Sequence, residues 1–212
     1  MNKYSITSNE IKLYKHLDRL QLLQQGIASP ILLVVSPTNK CNLNCDYCCF
    51  GDRDKSLELD YEFLKDSVLQ FVKLGIKSVE LTGGGQPTLY KHINDFVDFV
   101  HDDLKLDLGI NTNCITLSPI EKQAHKFKWI RLSMNFLDEE RFRKSQFIEE
   151  IEKQIKPMQS VTNITACYIV PQTIQTEHVK DVISFAERNK IYTRIAPDCI
   201  QSKDDISKLI GE

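Results

Sequence analysis

The sequence predicts an α/β protein built around parallel strands, and three observations support this class. Six short apolar segments alternate with longer segments that have helical periodicity. Glycine, proline or capping residues separate most neighbouring segments. Strands that alternate with helices form parallel βα units joined by right-handed crossovers. Both an open doubly wound sheet and a partial barrel satisfy this pattern.

Length and composition indicate one globular domain with modest extensions. The chain has 212 residues, of which 42% are hydrophobic and 26% charged. A net charge of −2 gives no field that attracts nucleic acid or an anionic membrane, so we expect no general nucleic-acid binding. Met1–Lys12 lacks the apolar core of a signal peptide, and no apolar run is long enough to span a bilayer. We therefore expect a cytoplasmic protein with no membrane partner.

The first half of the chain supplies a helix and then two strand–helix units. Thr7–Gln25 has a helical apolar pattern, and Ile31–Ser36 is a nearly continuous apolar run, typical of a strand buried on both faces. Asp60 caps the next helix, and Ile76–Thr82 is the second strand. The helix after it has an apolar stripe at Ile93, Phe96, Val97, Val100 and Leu104.

The second half continues the same alternation. Ser118-Pro119-Ile120-Glu121 begins a helix with a cap, an early proline and a capping-box glutamate. The remaining segments are the strands Leu106–Thr112, Trp129–Asn135, Val161–Val170 and Ile191–Ala196 and the helices Asp138–Lys156 and Thr176–Asn189. We expect an N-terminal helical extension at 1–29, the core at 30–200 and a short, truncated tail at 201–212.

Three cysteines follow the first strand at the spacing C-x3-C-x2-C: Cys41, Cys45 and Cys48. An odd total of seven cysteines and no export signal argue against a disulfide framework and favour metal binding. Three thiolates in one loop suit an iron–sulfur cluster. Cys49 is adjacent and should point elsewhere, and the next cysteine is Cys114. One iron would then be open to an external ligand, whereas a closed zinc site requires four protein ligands.

A glycine run, Gly83-Gly84-Gly85-Gln86-Pro87, follows the second strand. Glycines permit a positive φ and a close approach of a ligand to the backbone. In parallel α/β folds the active site gathers at the carboxyl ends of the strands, where both the cysteines and this run lie. A phosphate cradle is the alternative, but the run lacks the lysine of a P-loop and the spacing of a dinucleotide site.

Polar residues also mark the ends of later strands. The third strand ends in Asn111-Thr112-Asn113-Cys114, an asparagine-rich turn in its plainest interpretation. In the fourth strand, period two assigns the apolar side chains to the helices and a polar set to the interior, namely Arg131, Ser133 and Asn135. The histidines have no ligand spacing, and we expect His92, His101 and His178 to be solvated.

Together these motifs resemble the radical S-adenosylmethionine (SAM) superfamily, most closely its branch of molybdopterin-precursor cyclases and peptide-modifying enzymes. The resemblance implies a partial (β/α)6 barrel and a [4Fe–4S] cluster on Cys41, Cys45 and Cys48, whose open iron is chelated by SAM. It further implies reductive cleavage of SAM to a 5′-deoxyadenosyl radical, which abstracts hydrogen from a substrate that the motifs do not identify.

The same resemblance implies a SAM site. Tyr47 lies near the adenine, and the glycine run resembles Gly-Gly-Glu-Pro, which binds the methionine amino group, with Gln86 in place of glutamate. Asn113 stands in a Thr-Asn-Gly motif in which Cys114 replaces glycine. The remaining SAM-site residues that it implies are Ser133, Asn135, Ile169, Arg194 and Pro197.

The implied partners are an electron donor, such as a flavodoxin or ferredoxin, and a substrate, with a peptide, a protein or a nucleotide as candidates. Two other functions fit the cysteine motif. One is an activating enzyme that abstracts hydrogen from a glycine of a partner protein. The other is a non-catalytic module that binds an iron–sulfur cluster or zinc through the same cysteines.

Overall fold

The computed structural model describes residues 15–27, 29–45, 48–135, 145–170 and 176–197. Its strands form one six-stranded sheet in the order β1-β2-β3-β4-β5-β6, and every neighbouring pair is parallel. The strands are β1 (Leu32–Val35), β2 (Ser78–Leu81), β3 (Asp107–Thr112), β4 (Phe127–Ser133), β5 (Asn163–Val170) and β6 (Tyr192–Pro197). A doubly wound sheet reverses its strand order at a switch point. The sequential order therefore confirms the partial (β/α)6 barrel.

Helices follow the strands along the chain. The α-helices are α1 (Leu17–Gln24), α2 (Tyr61–Lys73), α3 (Ile93–Asp98), α4 (Ser145–Met158) and α5 (Thr176–Asn189). The 3-10 helices Pro87–Leu89 and Ser118–Lys126 follow β2 and β3, and a π-helical turn, Phe99–Asp103, extends α3. Asp60 caps α2 as predicted, because its side chain accepts a hydrogen bond from the Phe63 amide at 3.0 Å.

Three local predictions were wrong. β1 was expected to be buried on both faces, but Leu32 and Val34 are 44% and 55% exposed, because they lie on the same face as Glu80, opposite the apolar core. The segment after β3 is a 3-10 helix whose N-cap is Leu117, with no side-chain capping bond, so Ser118 lies inside the helix and not at its cap. His178 is only 2% exposed, and its Nδ1 lies 3.3 Å from the Tyr168 hydroxyl, whereas a solvated side chain was expected. The Thr7–Tyr14 part of the predicted first helix falls outside the described residues.

The sheet has an apolar face and a polar face. The apolar core joins one face to the helices, and its strand members include Val79, Leu81, Leu108, Ile110, Ile130 and Leu132. Alternate positions place charged, amide and thiol side chains on the opposite face, which lines the barrel interior. These include Glu80, Asn111, Arg131, Cys167 and Arg194. The sorting predicted for the fourth strand is therefore observed.

Candidate functional site

The cysteine loop leaves the carboxyl end of β1. Cys41, Cys45 and Cys48 are half-buried and form no disulfide, and the Cys48 backbone amide donates to the Cys45 carbonyl at 3.0 Å. Cys49 is exposed. Tyr47 lies outside the described residues.

Within the described ranges, no three histidine, cysteine or acidic side chains are arranged to hold one metal ion. A [4Fe–4S] cluster makes a different demand, because each thiolate binds a separate iron. The donor set fits this group: three partly accessible thiols occupy one loop, and side-chain N–H groups approach two of the sulfurs. The Arg53 guanidinium lies 3.5 Å from Cys48 Sγ, and the Asn113 amide lies 3.9 Å from Cys41 Sγ.

The glycine run packs directly against the segment that precedes the cysteines. The Gly85 amide donates to the Thr38 carbonyl at 2.8 Å, and the Gln86 amide donates to the Lys40 carbonyl at 2.7 Å. A Cβ on Gly85 would lie 2.1 Å from the Lys40 oxygen, and one on Gly84 would lie 2.3 Å from Asn39 Oδ1. Only glycine permits this contact between the two backbones.

The Gln86 side chain is 2% exposed and connects the ends of β2 and β3. Its Nε2 donates to the hydroxyls of Thr88 at 2.7 Å and Thr112 at 2.6 Å. Its Oε1 accepts a hydrogen bond from the backbone N–H of Asn113 at 2.9 Å. The Thr88 hydroxyl in turn donates to the Thr116 carbonyl at 2.7 Å. Both the oxygen and the nitrogen of the Gln86 side-chain amide therefore have hydrogen-bond partners in the protein.

Asn113 links this network to the cysteine loop, because its Nδ2 donates to Asn42 Oδ1 at 2.7 Å. Cys114 has a φ of 54°, which explains why the related motif has glycine at this position. Cys114 is fully buried, its Sγ lies 3.9 Å from the Ser133 carbonyl, and burial raises the pKa of its thiol well above the usual value.

Asn135 joins the ends of β4 and β5. Its Nδ2 donates to the Ile169 carbonyl at 2.7 Å, and its Oδ1 accepts from the Ile169 amide at 3.1 Å. Asn135 is 5% exposed, whereas the Ile169 side chain is 37% exposed. Ser133 is half-buried two residues before Asn135. The Asn135 side chain therefore extends the pairing of β4 and β5 beyond Ser133 and Cys167, the last residues paired in register.

The polar face contains a charged cluster. Arg131 Nη1 lies 3.9 Å from Glu80 Oε1, and Asn111 Nδ2 donates to the same oxygen at 2.7 Å. The Arg131 guanidinium stacks 4.3 Å from the centre of the Trp129 ring. Among the described residues, the buried Nε of Arg131 and the buried hydroxyl of Thr165 have no hydrogen-bond partner. These two buried groups are therefore left without a hydrogen bond inside the protein.

The last strand lies beside this cluster. Arg194 is exposed and pairs in register with Cys167. Burial raises the pKa of the Cys167 thiol, and the charges of Arg131 and Arg194 act in the opposite direction. Pro197 ends β6, and its side chain is outside the described set. The structure therefore brings Cys41, Gln86 and Asn113 into one network and places Ser133, Asn135, Ile169 and Arg194 along the neighbouring strands.

Sequence reasoning missed one residue of this site, Arg53. Asp52–Lys55 has the composition of an ordinary charged turn, yet the Arg53 guanidinium contacts the cysteine loop at three points. The only signal in the sequence was a cation shortly after Cys48, and a cation in a charged turn has no specific meaning.

A model of the radical SAM superfamily matches residues 35–186. The chain belongs to the radical SAM superfamily. This confirms the predicted class of enzyme and the predicted cofactors, a [4Fe–4S] cluster and SAM. Among the described helices, none combines the length and the apolar character that a bilayer crossing requires.

Curated relatives include GTP 3′,8-cyclase of Clostridium perfringens, which is 27% identical over 173 residues, covering 76% of this chain and 53% of that protein. A probable GTP 3′,8-cyclase of Pyrococcus abyssi is 28% identical over 161 residues, covering 73% of this chain and 52% of that protein. The chain thus spans about half the length of the curated relatives it matches.

Two solved structures share the fold. Streptococcus suis SuiB bound to precursor peptide SuiA gives a TM-score of 0.64 at 23% identity, covering 93% of this chain and 47% of that one. Methylornithine synthase gives a TM-score of 0.58 at 18% identity, covering 93% of this chain and 62% of that one. At these identities the likeness concerns the fold alone.

Proposed function

We propose that this chain is the core of a radical SAM enzyme in which Cys41, Cys45 and Cys48 hold the cluster and leave one iron to SAM. When bound, the cluster supplies the electron that cleaves SAM to methionine and a 5′-deoxyadenosyl radical, which abstracts hydrogen from the substrate. The observation that carries the proposal is the convergence of three strand ends on the cysteine loop. Gly85 and Gln86 bind its first residues, and Asn113 lies against Cys41 and Asn42.

In this proposal the residues at the strand ends divide into two groups. Backbone atoms of Gly83–Gly85 face the amino acid part of SAM, while Ser133 and the exposed Ile169 flank its nucleoside. Gln86 and Asn135 instead act as positioning residues, because their amides already bind neighbouring backbone and hydroxyl groups. Arg194, exposed on the polar face, pairs with the carboxylate of SAM or with an anionic substrate.

The finer part of the proposal concerns the substrate, for which we favour a purine nucleotide. The relatives named GTP 3′,8-cyclase suggest this class. The polar face supports it, because Arg131 offers a cation for a phosphate and Glu80 offers an acceptor for a base N–H.

A peptide substrate and a glycine of a partner protein are the competing substrates for the same radical chemistry. An electron donor such as a flavodoxin or ferredoxin, and a cytoplasmic location, complete the proposal.

Anaerobic reconstitution tests the proposal. We expect a four-iron cluster whose electron paramagnetic resonance (EPR) signal after reduction changes when SAM is added, together with formation of 5′-deoxyadenosine. Zinc at stoichiometric occupancy without this product would instead establish the non-catalytic module. For the substrate, we expect GTP to accelerate 5′-deoxyadenosine formation more than ATP does. Equal rates with GTP, ATP and no nucleotide would exclude the nucleotide and leave a peptide or a partner protein.

A further inference from the structure

Arg53 connects the two ends of the cysteine loop. Its Nε donates to the Asn39 carbonyl at 3.0 Å, before the first cysteine. Its Nη1 donates to the Phe50 carbonyl, after the last cysteine, at 2.5 Å and lies 3.5 Å from Cys48 Sγ. Arg53 is half-buried, so water screens these contacts only in part.

The three contacts require the planar fork of a guanidinium. Arginine presents several N–H donors in fixed directions, whereas a lysine ammonium is a single point charge on a flexible stem. One side chain can therefore hold two carbonyl groups and still direct a charged N–H at a sulfur. Lys55, nearby in the same turn, instead has Asn44 Oδ1 as a partner at 3.4 Å.

We propose that Arg53 is a positioning residue that closes the cysteine loop and raises the reduction potential of the cluster through Cys48. This inference rests on the proposed function, in which Cys48 binds iron. Reduction adds negative charge to the cluster, and hydrogen bonds to its sulfurs are among the factors that set its potential. A charged N–H directed at Cys48 Sγ stabilises the reduced form more than the oxidised form. The side-chain amide of Asn113, 3.9 Å from Cys41 Sγ, also raises the potential, but more weakly.

The experiment compares three variants of the full chain. Arg53→Met removes the charge and every donor but keeps an unbranched stem. Arg53→Lys keeps the charge without the fork. Lys55→Met removes one positive charge from the same turn without removing a donor to a cysteine sulfur, and is the matched control.

The cluster potential is measured by anaerobic redox titration followed by EPR. We expect Arg53→Met to lower the midpoint potential clearly, Arg53→Lys to lower it less, and Lys55→Met to change it least. Equal shifts in Arg53→Met and Lys55→Met would reduce the effect to net charge and overturn the proposed hydrogen bond. An unchanged potential in Arg53→Met would overturn it as well.

Hydrogen exchange on the cluster-free protein tests the closing of the loop separately. In Arg53→Met we expect faster exchange in peptides that cover residues 39–53, with the exchange of β2–β4 unchanged. Unchanged exchange in those peptides would overturn the proposal, even where the variant fails to retain a cluster. If the unsubstituted chain forms no four-iron cluster, the proposed function fails, and the exchange measurement still decides whether Arg53 closes the loop.

Discussion

Within residues 15–27, 29–45, 48–135, 145–170 and 176–197, the carboxyl ends of β1–β3 and of β4–β6 differ in the contacts that join them. In the first group, backbone and side-chain hydrogen bonds join all three loops through Thr38, Lys40, Gln86 and Asn113. In the second group, the tie in the described part of the chain is the amide of Asn135 on the Ile169 backbone. On the polar face of β4 and β5, two buried donors of the described residues, Arg131 Nε and the Thr165 hydroxyl, have no protein partner.

This difference separates two tasks. A cofactor that is the same in every turnover is best held by a preorganised network, since ordering the loops in advance lowers the entropy lost on binding. A substrate side needs polar atoms that are free to bind a ligand, which costs stability when they are buried and unpaired. We therefore expect substitutions in the first group to weaken the binding of the cluster and of SAM. Substitutions in the second group should have smaller effects on the binding of both.

The largest effect should come from the cysteines. Cys48→Ala removes a cluster ligand, so we expect 5′-deoxyadenosine formation to fall below detection and reconstituted iron to drop. Cys49→Ala is the matched control, because Cys49 is the adjacent residue and is exposed. It should retain most of the product. Full activity of Cys48→Ala together with an inactive Cys49→Ala would reassign the ligand.

Gly85→Ala should rank second, because its Cβ would lie 2.1 Å from the Lys40 oxygen. Overpacking of this kind costs about 1–3 kcal/mol or more, and relief would require the two loops to separate. We expect a lower melting temperature of the cluster-free protein and poor cluster retention. In the control, Gly51→Ala, the nearest atom to the new Cβ lies at 3.3 Å, so a much smaller loss is expected. Equal losses in the two variants would contradict the close approach of the loops.

Gln86→Met should have the next effect. It leaves the partly buried backbone N–H of Asn113 without its acceptor, and a buried group left unsatisfied costs up to about 1–3 kcal/mol. We expect lower stability of the cluster-free protein, measured by urea unfolding, and a raised KM for SAM.

Gln86→Glu is the matched variant, because it keeps the acceptor for Asn113 and loses both N–H donors. We expect it to lose less stability than Gln86→Met. A raised KM in Gln86→Met without any loss of stability would show that Gln86 contacts the cofactor directly and does not act by positioning.

Local signals predicted the elements well. Asp60 caps α2, and Thr176–Asn189 matches the predicted helix, because capping groups and apolar periodicity lie within the segment itself. Ser118 shows the limit of such signals. It carries a capping-box pattern, yet the chain adopts a tight 3-10 helix whose cap is the preceding residue.

The contacts of the site depend on residues distant in sequence and could not be predicted in this way. Cysteine spacing and the glycine run predicted two motifs at the same edge of the sheet, because each motif immediately follows a strand, and the two loops are in contact. The partners of Gln86 and Arg53 depend on how separate loops meet, which no periodicity encodes. The glycine run was explained by ligand access, whereas the structure adds a second reason, the contact with Asn39 and Lys40. His178 can be buried because the Tyr168 hydroxyl, on β5, lies within hydrogen-bond distance of its ring.

Asn135→Ala should have the smallest effect of the series, and it tests the second group of strand ends. The substitution frees the Ile169 amide and carbonyl, which lie beside solvent-accessible atoms because the Ile169 side chain is 37% exposed. Water can therefore replace part of the lost bonding, and we expect a loss of about 1 kcal/mol in the free energy of unfolding.

The matched control is Asn163→Ala, because Asn163 Nδ2 bonds the Lys128 carbonyl at 3.1 Å at the opposite end of the same strand pair. If Asn135 acts by joining β4 to β5, both variants lower stability modestly, and the KM for SAM rises in Asn135→Ala by less than in Gln86→Met. A KM that rises more than in Gln86→Met, at unchanged stability, would instead place Asn135 in contact with SAM. That result would add Asn135 to Ser133 and Ile169 as a residue that contacts SAM, because a loss of binding without a loss of stability cannot come from the strand pairing alone.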